Sequence, residues 1–308
     1  MKLVFICGAL RSGTSMLHLM LNFHPKLSNP GEFDFLFDGL NGVDDNPTAK
    51  EYSGFLSNNR IFKAKPLCID TESETYHELV NNLVGQLDDG NILCLNLHRN
   101  FDWALHYFPD AKFIHILRDP RDVAKSSIRM GWAGNTYYGV DHWVNTEESW
   151  DRLAAGANPN NCFEFRYEDL IADLHGNLSA ICRFVGTDYD AVMLDYHENS
   201  TYSPPDISLT QQWKRVQQPR EIELVEHKAN RLMIKRGYEA ISANPIAPRF
   251  YERLHLWLVN KAYKYRFSIR RYGLILSVMQ KLITVFPRFP GAEKYRDRIH
   301  RIQISHLK

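Results

Sequence analysis

The chain has 308 residues, of which 44% are hydrophobic and 24% charged, so it is long enough to bury the core of one domain and carry an extension. It contains no run of about twenty apolar residues, and its N-terminal apolar run is too short for a signal peptide, which argues against a membrane-spanning or secreted protein. We therefore expect a cytoplasmic location. The five cysteines are scattered and form no CxxC pair, which argues against a disulfide framework and a zinc site.

Short apolar runs alternate with helix-compatible stretches along the chain. This pattern predicts an α/β protein with a mainly parallel central sheet between layers of helices. Between the first two predicted strands, Gly, Asn, Asp and Pro residues from Asn29 to Asn59 predict a long irregular segment that shapes a substrate pocket. The predicted strands lie near residues 2–7, 61–64, 91–95, 112–117 and 162–165.

The first predicted strand leads directly into the sequence GALRSGTSML, residues 8–17, and then into a helix-compatible stretch. A glycine loop between a strand and a helix binds anions, because backbone N–H groups and the positive end of the helix dipole converge there. The spacing nearly matches the nucleotide P-loop, G-x4-G-K-[ST], but Thr14 stands where that loop has its lysine. The segment therefore predicts a phosphate site that is not an ordinary NTP site, with Arg11 as its cation.

A second segment, AKFIHILRDPRDVAKSS at residues 111–127, also runs from a predicted strand into a charged loop and a helix. Arg118 stands at the carboxyl end of that strand, the edge where open α/β sheets bind ligands, and Ser126 follows about two helical turns later. Surface ion pairs that cap the following helix are the alternative interpretation. That alternative does not explain why a cation stands at the end of a second strand.

Together these segments resemble the sulfotransferases that use 3′-phosphoadenosine 5′-phosphosulfate (PAPS), most closely the protein-tyrosine and membrane-type branch and its bacterial relatives. The resemblance extends over residues 1–240, with the motifs in the expected order, and it implies a P-loop-like three-layer fold for this domain. The motifs that carry it are RSGTS at 11–15, LRDPRDVAKS at 117–126, FRYEDL at 165–170 and SLTQQWKR at 208–215, followed by RGYE at 236–239.

The resemblance implies that the chain transfers the sulfuryl group of PAPS to a hydroxyl or amine of an acceptor, releases 3′-phosphoadenosine 5′-phosphate (PAP) and needs no metal. The fork of Arg11 would neutralise the 5′-phosphate and sulfonate oxygens. The residues that it implies for PAPS binding are Arg11, Ser12, Gly13, Thr14 and Ser15 at the phosphosulfate, Arg118 and Ser126 at the 3′-phosphate, and Tyr167, Ser208 and Lys214 over the nucleotide.

The resemblance offers two candidates for the general base. Glu32, in HPKLSNPGEF, stands where the membrane-type and protein-tyrosine branch has a catalytic glutamate shortly after the phosphosulfate loop. The cytosolic small-molecule branch instead uses a histidine about twenty residues before the 3′-phosphate arginine, and His98 occupies that position. The lysine-threonine context of that branch is absent, since Asn96 and Leu97 precede His98. We therefore predict that Glu32 is the base and keep His98 as the alternative.

The last 68 residues, 241–308, differ from the rest in charge and form a predicted helical extension. They contain 14 Lys and Arg against 3 Asp and Glu, a net charge of +11, whereas residues 1–240 have a net charge of −10. Aromatic and aliphatic residues recur there at helical spacing, which is typical of amphipathic helices with basic rims. The extension is expected to pack on the acidic part of the same chain, on a second copy, or on an anionic membrane or amphiphilic acceptor. Nucleic acid is not expected, because no recognition motif accompanies the charge.

Two other functions fit part of the pattern. A P-loop kinase would use ATP and magnesium, but the loop lacks the lysine that such an enzyme needs. A non-catalytic nucleotide-binding scaffold would use the basic extension as its interaction surface. Preference for a 3′-phosphorylated nucleotide without metal distinguishes the sulfotransferase from the kinase, and group transfer distinguishes it from the scaffold.

Overall fold

The computed structural model describes residues 1–200, 202–242, 244–286 and 291–305. It contains a five-stranded sheet in the order β2-β3-β1-β4-β5, in which every neighbouring pair is parallel. The prediction of a mainly parallel α/β fold is therefore confirmed. The strands are β1 Lys2–Cys7, β2 Leu27–Ser28, β3 Ile92–Leu97, β4 Lys112–Leu117 and β5 Cys162–Arg166.

The chain forms two compact units whose segments alternate along the sequence. The first contains the sheet and consists of Met1–Asp119, His142–Gln212 and Lys235–Tyr238, and the second consists of Pro120–Asp141, Trp213–Ile234 and Glu239–Lys308. The division of the chain at residue 240 into two domains stays a prediction.

The helices in chain order are α1 Thr14–Phe23, α2 Ala49–Leu56, α3 Arg60–Lys63, α4 Tyr76–Gly85, α5 Phe101–Tyr107, α6 Pro120–Arg129, α7 Thr136–Gly139, α8 Asp141–Gly156, α9 Tyr167–Ala172, α10 Leu174–Val185, α11 Trp213–Val216, α12 Pro219–Lys235, α13 Phe250–Tyr272, α14 Leu274–Val285 and α15 Ala292–Ser305.

In the first unit both faces of the sheet are buried, because alternate residues of each strand point to opposite sides. Phe5, Leu95 and Phe113 face a cluster that includes residues of α2, α4 and α5. Ile6, Cys94 and other residues on the opposite face pack against α1, α9 and α10. This arrangement makes the three layers that the sequence predicts, and it leaves the carboxyl ends of the strands as the edge where loops can bind ligands.

The predicted strand at residues 61–64 is wrong. Residues 60–63 form the helix α3 instead, and the side chain of Asn59 caps it by accepting hydrogen bonds from the backbone N–H groups of Ile61 and Phe62. The apolar pair Ile61-Phe62 is too short for its period to separate a strand from a helix. The actual second strand, β2, has only two residues and was not predicted.

The segment from Asn29 to Asn59 is not irregular throughout, which corrects a second expectation. Asp34–Leu36 form a short 3-10 helix and residues 49–56 form α2. Helix α2 begins at a capping box in which Thr48 and Glu51 exchange side-chain-to-backbone hydrogen bonds. The capping box stabilises the start of a helix that the surrounding Gly, Asn, Asp and Pro residues do not predict.

The second unit consists of helices, and α13, α14 and α15 confirm the predicted helical C-terminal region. One face of α13 packs on the segment that follows α6. Gly134 donates its backbone N–H to Oδ1 of Asn260 at 2.7 Å, and the hydroxyl of Tyr263 donates to the backbone oxygen of Ile128 at 2.9 Å. Within the described ranges, none of the helices combines the length and the apolar character needed to cross a bilayer.

Candidate active site

The loop between β1 and α1, residues 8–13, lies at the carboxyl edge of the sheet and leads into the N-terminus of α1, and we call it the cradle. Gly13 is the N-cap of α1 and has φ 96°, in the left-handed region that favours glycine. A Cβ atom at Gly13 would lie 2.4 Å from Cδ2 of Tyr167, and one at Gly8 would lie 2.6 Å from Cγ2 of Ile116. Both glycines are therefore required by close packing, which brings the loop against β4 and α9.

Arg118 holds three segments of the site together. Its Nη1 donates to the backbone oxygen of Arg11 at 3.0 Å, its Nη2 donates to that of Leu209 at 2.8 Å, and its guanidinium carbon lies 4.5 Å from the centre of the Tyr167 ring. Arg11 itself is exposed and has φ 76°. The two cations that the sequence singles out are thus brought side by side, on the loops that follow β1 and β4.

A cavity of about 320 Å³ opens between these residues. Six of the predicted site residues line it, and the segment 202–206 closes one side together with Leu209 and Met16. The six are Arg11, Gly13, Thr14, Ser15, Arg118 and Tyr167.

Two polar atoms near this cavity suit an anionic ligand. The hydroxyl of Ser12 is buried and finds no hydrogen-bond partner among the described residues. The Nε of Arg118 is also buried and without a partner in the part of the chain that the structure describes. Because an unpaired buried donor is costly, these groups fit phosphate or sulfonate oxygens that accept their hydrogens.

Glu32 lies on the extension of β2, where it forms a parallel bridge with Asn96 of β3. Asn96 fixes this stretch, since its backbone N–H donates to the oxygen of Gly31 at 2.9 Å and its oxygen accepts from the backbone N–H of Phe33 at 2.9 Å. The ammonium group of Lys65 donates to the backbone oxygen of Pro30. Burial lowers the pKa of Lys65, and the negative charge of Glu32 opposes that shift. Glu32 is therefore a half-buried carboxylate with a cation in its field.

His98 follows β3 and is almost completely buried. Its Nδ1 donates to Oδ2 of Asp34 at 2.7 Å, and its Nε2 lies 3.3 Å from the hydroxyl oxygen of Thr14. Burial alone would lower the pKa of His98, but the charge of Asp34 and the hydrogen bond to it outweigh burial and raise the pKa above its usual value. His98 therefore contacts the phosphate cradle through Thr14. In the sheet, β1 lies beside β3. The chain leaves β1 towards β2 on one side of the pair and leaves β3 towards β4 on the other side. Open parallel sheets bind ligands at such a point, and Thr14 and His98 meet there.

Three further predicted residues, like Ser12, Glu32 and His98, are not among those that line the cavity. Ser208 is in the first unit, where its hydroxyl donates to Oδ2 of Asp206 at 2.7 Å. Ser126 on α6 and Lys214 on α11 belong to the second unit. The ammonium group of Lys214 lies 5.4 Å from the centre of the Trp213 ring. Their roles stay predictions.

Sequence reasoning missed Asp34 and Asn96. Asp34 lies 64 residues from His98 along the chain, so local spacing could not pair them. One signal was available for Asn96, which is the only polar residue in the apolar strand sequence ILCLNL.

Comparison with known proteins supports the same interpretation. Residues 4–191 match the family described as "Sulfotransferase family". An omega-hydroxy-beta-dihydromenaquinone-9 sulfotransferase of Mycobacterium bovis is 35% identical over 95 residues, and the match covers 27% of this chain and 24% of that protein. A putative protein-tyrosine sulfotransferase of Caenorhabditis briggsae is 27% identical over 207 residues, which cover 64% of this chain and 70% of that protein.

Among solved structures, the sulfotransferase domain of the curacin biosynthetic pathway has a TM-score of 0.61 and 18% sequence identity. The alignment covers 77% of this chain and 98% of that domain. The sulfotransferase domain of the Synechococcus PCC 7002 olefin synthase has a TM-score of 0.59 and 20% identity, with coverage of 74% and 94%. These likenesses show a shared fold. Since the family match covers more than half of the 308 residues, the chain belongs to the sulfotransferase family, as its ordered motifs predict.

Proposed function

We propose that the protein transfers the sulfuryl group of PAPS to a hydroxyl group of its acceptor. The observation that carries this proposal is the composition of the cavity. Its lining includes a glycine loop that lacks the P-loop lysine, together with Arg11 and Arg118. An NTPase relies on that lysine at the β- and γ-phosphates. A bisphosphate with a sulfonate group instead needs several separate donors, and Arg11 and Arg118 both line this cavity.

The arrangement supports an in-line displacement in which no metal is required. As the acceptor oxygen attacks sulfur, Glu32 takes its proton, an S–O bond forms, and the bond between sulfur and the 5′-phosphate oxygen breaks. Negative charge then grows on the departing phosphate. Arg11, Ser12 and the N–H groups at the start of α1 would neutralise it, which is the kind of stabilisation that lowers the barrier most.

Glu32 suits the role of base better than His98 does. Asp34 accepts a hydrogen bond from Nδ1 of His98, and the remaining nitrogen, Nε2, is directed at the hydroxyl of Thr14. Both ring nitrogens are therefore engaged within the protein, whereas a general base needs an atom within hydrogen-bond reach of the acceptor's proton. We therefore propose that His98 stabilises the negative charge on the departing phosphate.

Calorimetric titration tests the donor assignment without knowledge of the acceptor. We expect PAP to bind without metal with a Kd of about 1–10 µM, and adenosine 5′-phosphate to bind at least about 10-fold more weakly, because it lacks the group that Arg118 is proposed to hold. A preference for ATP with magnesium would instead favour a kinase. Nucleotide binding without any transfer from labelled PAPS would favour the scaffold.

The acceptor is proposed to be an alcohol or phenol. The Mycobacterium bovis relative is named for a menaquinone that carries an ω-hydroxyl group, and the Caenorhabditis briggsae relative for protein tyrosine, so both names imply an oxygen acceptor. The first of these acceptors is a lipid, and the basic extension of the present chain also suits an amphiphilic acceptor. A screen of alcohols, phenols and amines with labelled PAPS tests this choice of acceptor.

A surface on α13 and α14 supports contact with an anionic membrane. The face of α13 that packs inward includes Leu256, Asn260 and Tyr263, and the apolar residues on the other side are exposed. Phe250 is 83% exposed and Trp257 46%. Lys261, Lys264 and Arg266 are exposed on the same helix. We call these basic residues and the following exposed apolar residues the α13–α14 surface: Phe250, Tyr251, Leu254, Trp257, Leu258, Leu274, Ile275 and Val278.

Charge decides between the possible occupants of the α13–α14 surface. If two copies met through it, their basic rims would face each other, whereas anionic lipid headgroups attract such a rim while the acyl region takes up the aromatic and aliphatic side chains. The chain is therefore proposed to act in the cytoplasm as a peripheral protein at an anionic membrane.

Vesicle sedimentation tests this surface. We expect Trp257→Ser/Leu258→Ser to lower partitioning onto phosphatidylserine vesicles at least about 10-fold, because two apolar side chains no longer insert. The matched control is Val216→Ser/Ile234→Ser, which changes two exposed apolar residues of the same unit outside that surface. Absence of vesicle binding by the unmodified protein, with elution as a dimer, would contradict the proposal and favour a second copy.

A further inference from the structure

Asp34 accepts two hydrogen bonds from His98. Its Oδ2 accepts from the imidazole Nδ1 at 2.7 Å, and its Oδ1 accepts from the backbone N–H of the same histidine at 2.8 Å. Both side chains are 3% exposed. The double contact fixes the orientation of the ring and places a proton on Nδ1, so the other nitrogen, Nε2, is directed at Thr14.

The protonation state of His98 determines what the Thr14 hydroxyl can do. A neutral imidazole with its proton on Nδ1 has a lone pair on Nε2, and the hydroxyl of Thr14 then donates its hydrogen to the histidine. An imidazolium donates from Nε2 to the Thr14 oxygen instead. In that state the hydroxyl hydrogen of Thr14 is available to an anion in the cavity that Thr14 lines.

The charges around His98 favour the imidazolium. Burial by itself lowers its pKa, and Arg99 acts in the same direction, but Asp34 and Glu32 raise it and the net shift is upward. Asp38 also lies within the field of His98, although its carboxylate is bound by the guanidinium of Arg99. The pKa of Asp34 is correspondingly low: burial would raise it, but the charge of His98 and the hydrogen bonds from it lower it further.

We propose that Asp34 is a positioning residue that keeps His98 protonated, so that the imidazolium supplies through Thr14 the positive charge that a nucleotide P-loop takes from its lysine. This inference rests on the proposed function, because it concerns how the loop holds the 5′-phosphosulfate. It also explains why a threonine at the lysine position is compatible with anion binding. This second cation lies behind the loop, directly after the neighbouring strand β3, and acts in addition to Arg11 on the loop itself.

The test is the pH dependence of PAP binding. In Asp34→Asn no carboxylate holds the proton, so His98 becomes neutral at pH 8 and the Thr14 hydroxyl turns towards the histidine. We expect a Kd for PAP about 10-fold higher than in the unmodified protein at pH 8, the size of one charge-assisted hydrogen bond, and a smaller difference as the pH is lowered. Thr14→Val should show a similar loss that does not recover at low pH, and Thr14→Ser should restore binding.

Asp38→Asn is the matched control. It removes one carboxylate from the same region without touching His98, and it reports any pH effect that comes from ionisation of PAP itself. The inference is overturned if Asp34→Asn and Asp38→Asn bind PAP with the same affinity and pH profile.

A second measurement needs no variant. Nitrogen chemical shifts of the His98 ring should show both nitrogens protonated at pH 7.5 in the unmodified protein, and a neutral ring at that pH overturns the inference even if Asp34→Asn does not fold. Failure of the unmodified protein to bind PAP overturns the proposed function instead, whatever the state of His98.

Discussion

Glu32→Gln should lower the turnover of sulfuryl transfer by about 100-fold or more while changing the Kd for PAP by less than about 3-fold. Glutamine keeps the size of the side chain and its place beside β3, but it cannot accept the proton that the acceptor hydroxyl must lose. The measurement is the steady-state rate of PAP release, with the acceptor found in the labelled-PAPS screen, beside calorimetric titration with PAP.

Glu72→Gln is the matched control, since Glu72 is an exposed glutamate that forms no part of the proposed site. It should retain the rate of the unmodified protein. Normal turnover in Glu32→Gln would remove Glu32 from the mechanism. If His98→Gln then abolished turnover and not PAP binding, the base would be His98, and its assignment to charge stabilisation would be wrong.

Arg118→Ala should raise the Kd for PAP by about 10- to 100-fold, which corresponds to the loss of a charge-assisted hydrogen bond of about 1.5–3 kcal/mol. Two effects contribute. The variant loses a cation of the cavity, and it also releases the backbone oxygens of Arg11 and Leu209, which the guanidinium holds in place. Calorimetric titration with PAP and with adenosine 5′-phosphate measures the effect.

Arg118→Lys separates the two effects, because an ammonium keeps the charge but cannot contact two carbonyls with a planar fork. It should recover only part of the affinity. Arg152→Ala is the control, since Arg152 is 55% exposed and pairs with Asp102 at the surface. If Arg118→Ala bound PAP and adenosine 5′-phosphate as the unmodified protein does, Arg118 would have no role in recognising the nucleotide.

The parts of the site that could be predicted from the sequence are those in which a strand, a loop and a helix follow each other directly. The glycine loop after β1 and Arg118 after β4 belong to this group, because the parallel sheet places the carboxyl ends of its strands at one edge. The conformation of the loop follows from the same local signal, since Gly8 and Gly13 are where a Cβ would clash.

The remaining parts depend on contacts between distant residues. The pairing of Asp34 with His98 requires β2 to extend beside β3, and β2 has only two residues, too few for an alternating pattern. The same weakness explains the false strand at residues 61–64, where two apolar residues belong to a capped helix. Periodicity identifies long elements, whereas short ones are decided by caps and by tertiary packing.

The order of the strands also bears on how such an enzyme can diverge. The cradle and Arg118 belong to the connections after β1 and β4, whereas Glu32 and Asp34 begin the connection from β2 to β3, which is a single stretch of about sixty residues with its own buried aromatic cluster. Of the residues proposed to bind the sulfuryl donor, only Asp34 acts from that stretch, through His98. On the proposed function, acceptor preference can therefore evolve by changes in residues 35–91, while Asp34 and the residues of the cradle are inherited unchanged.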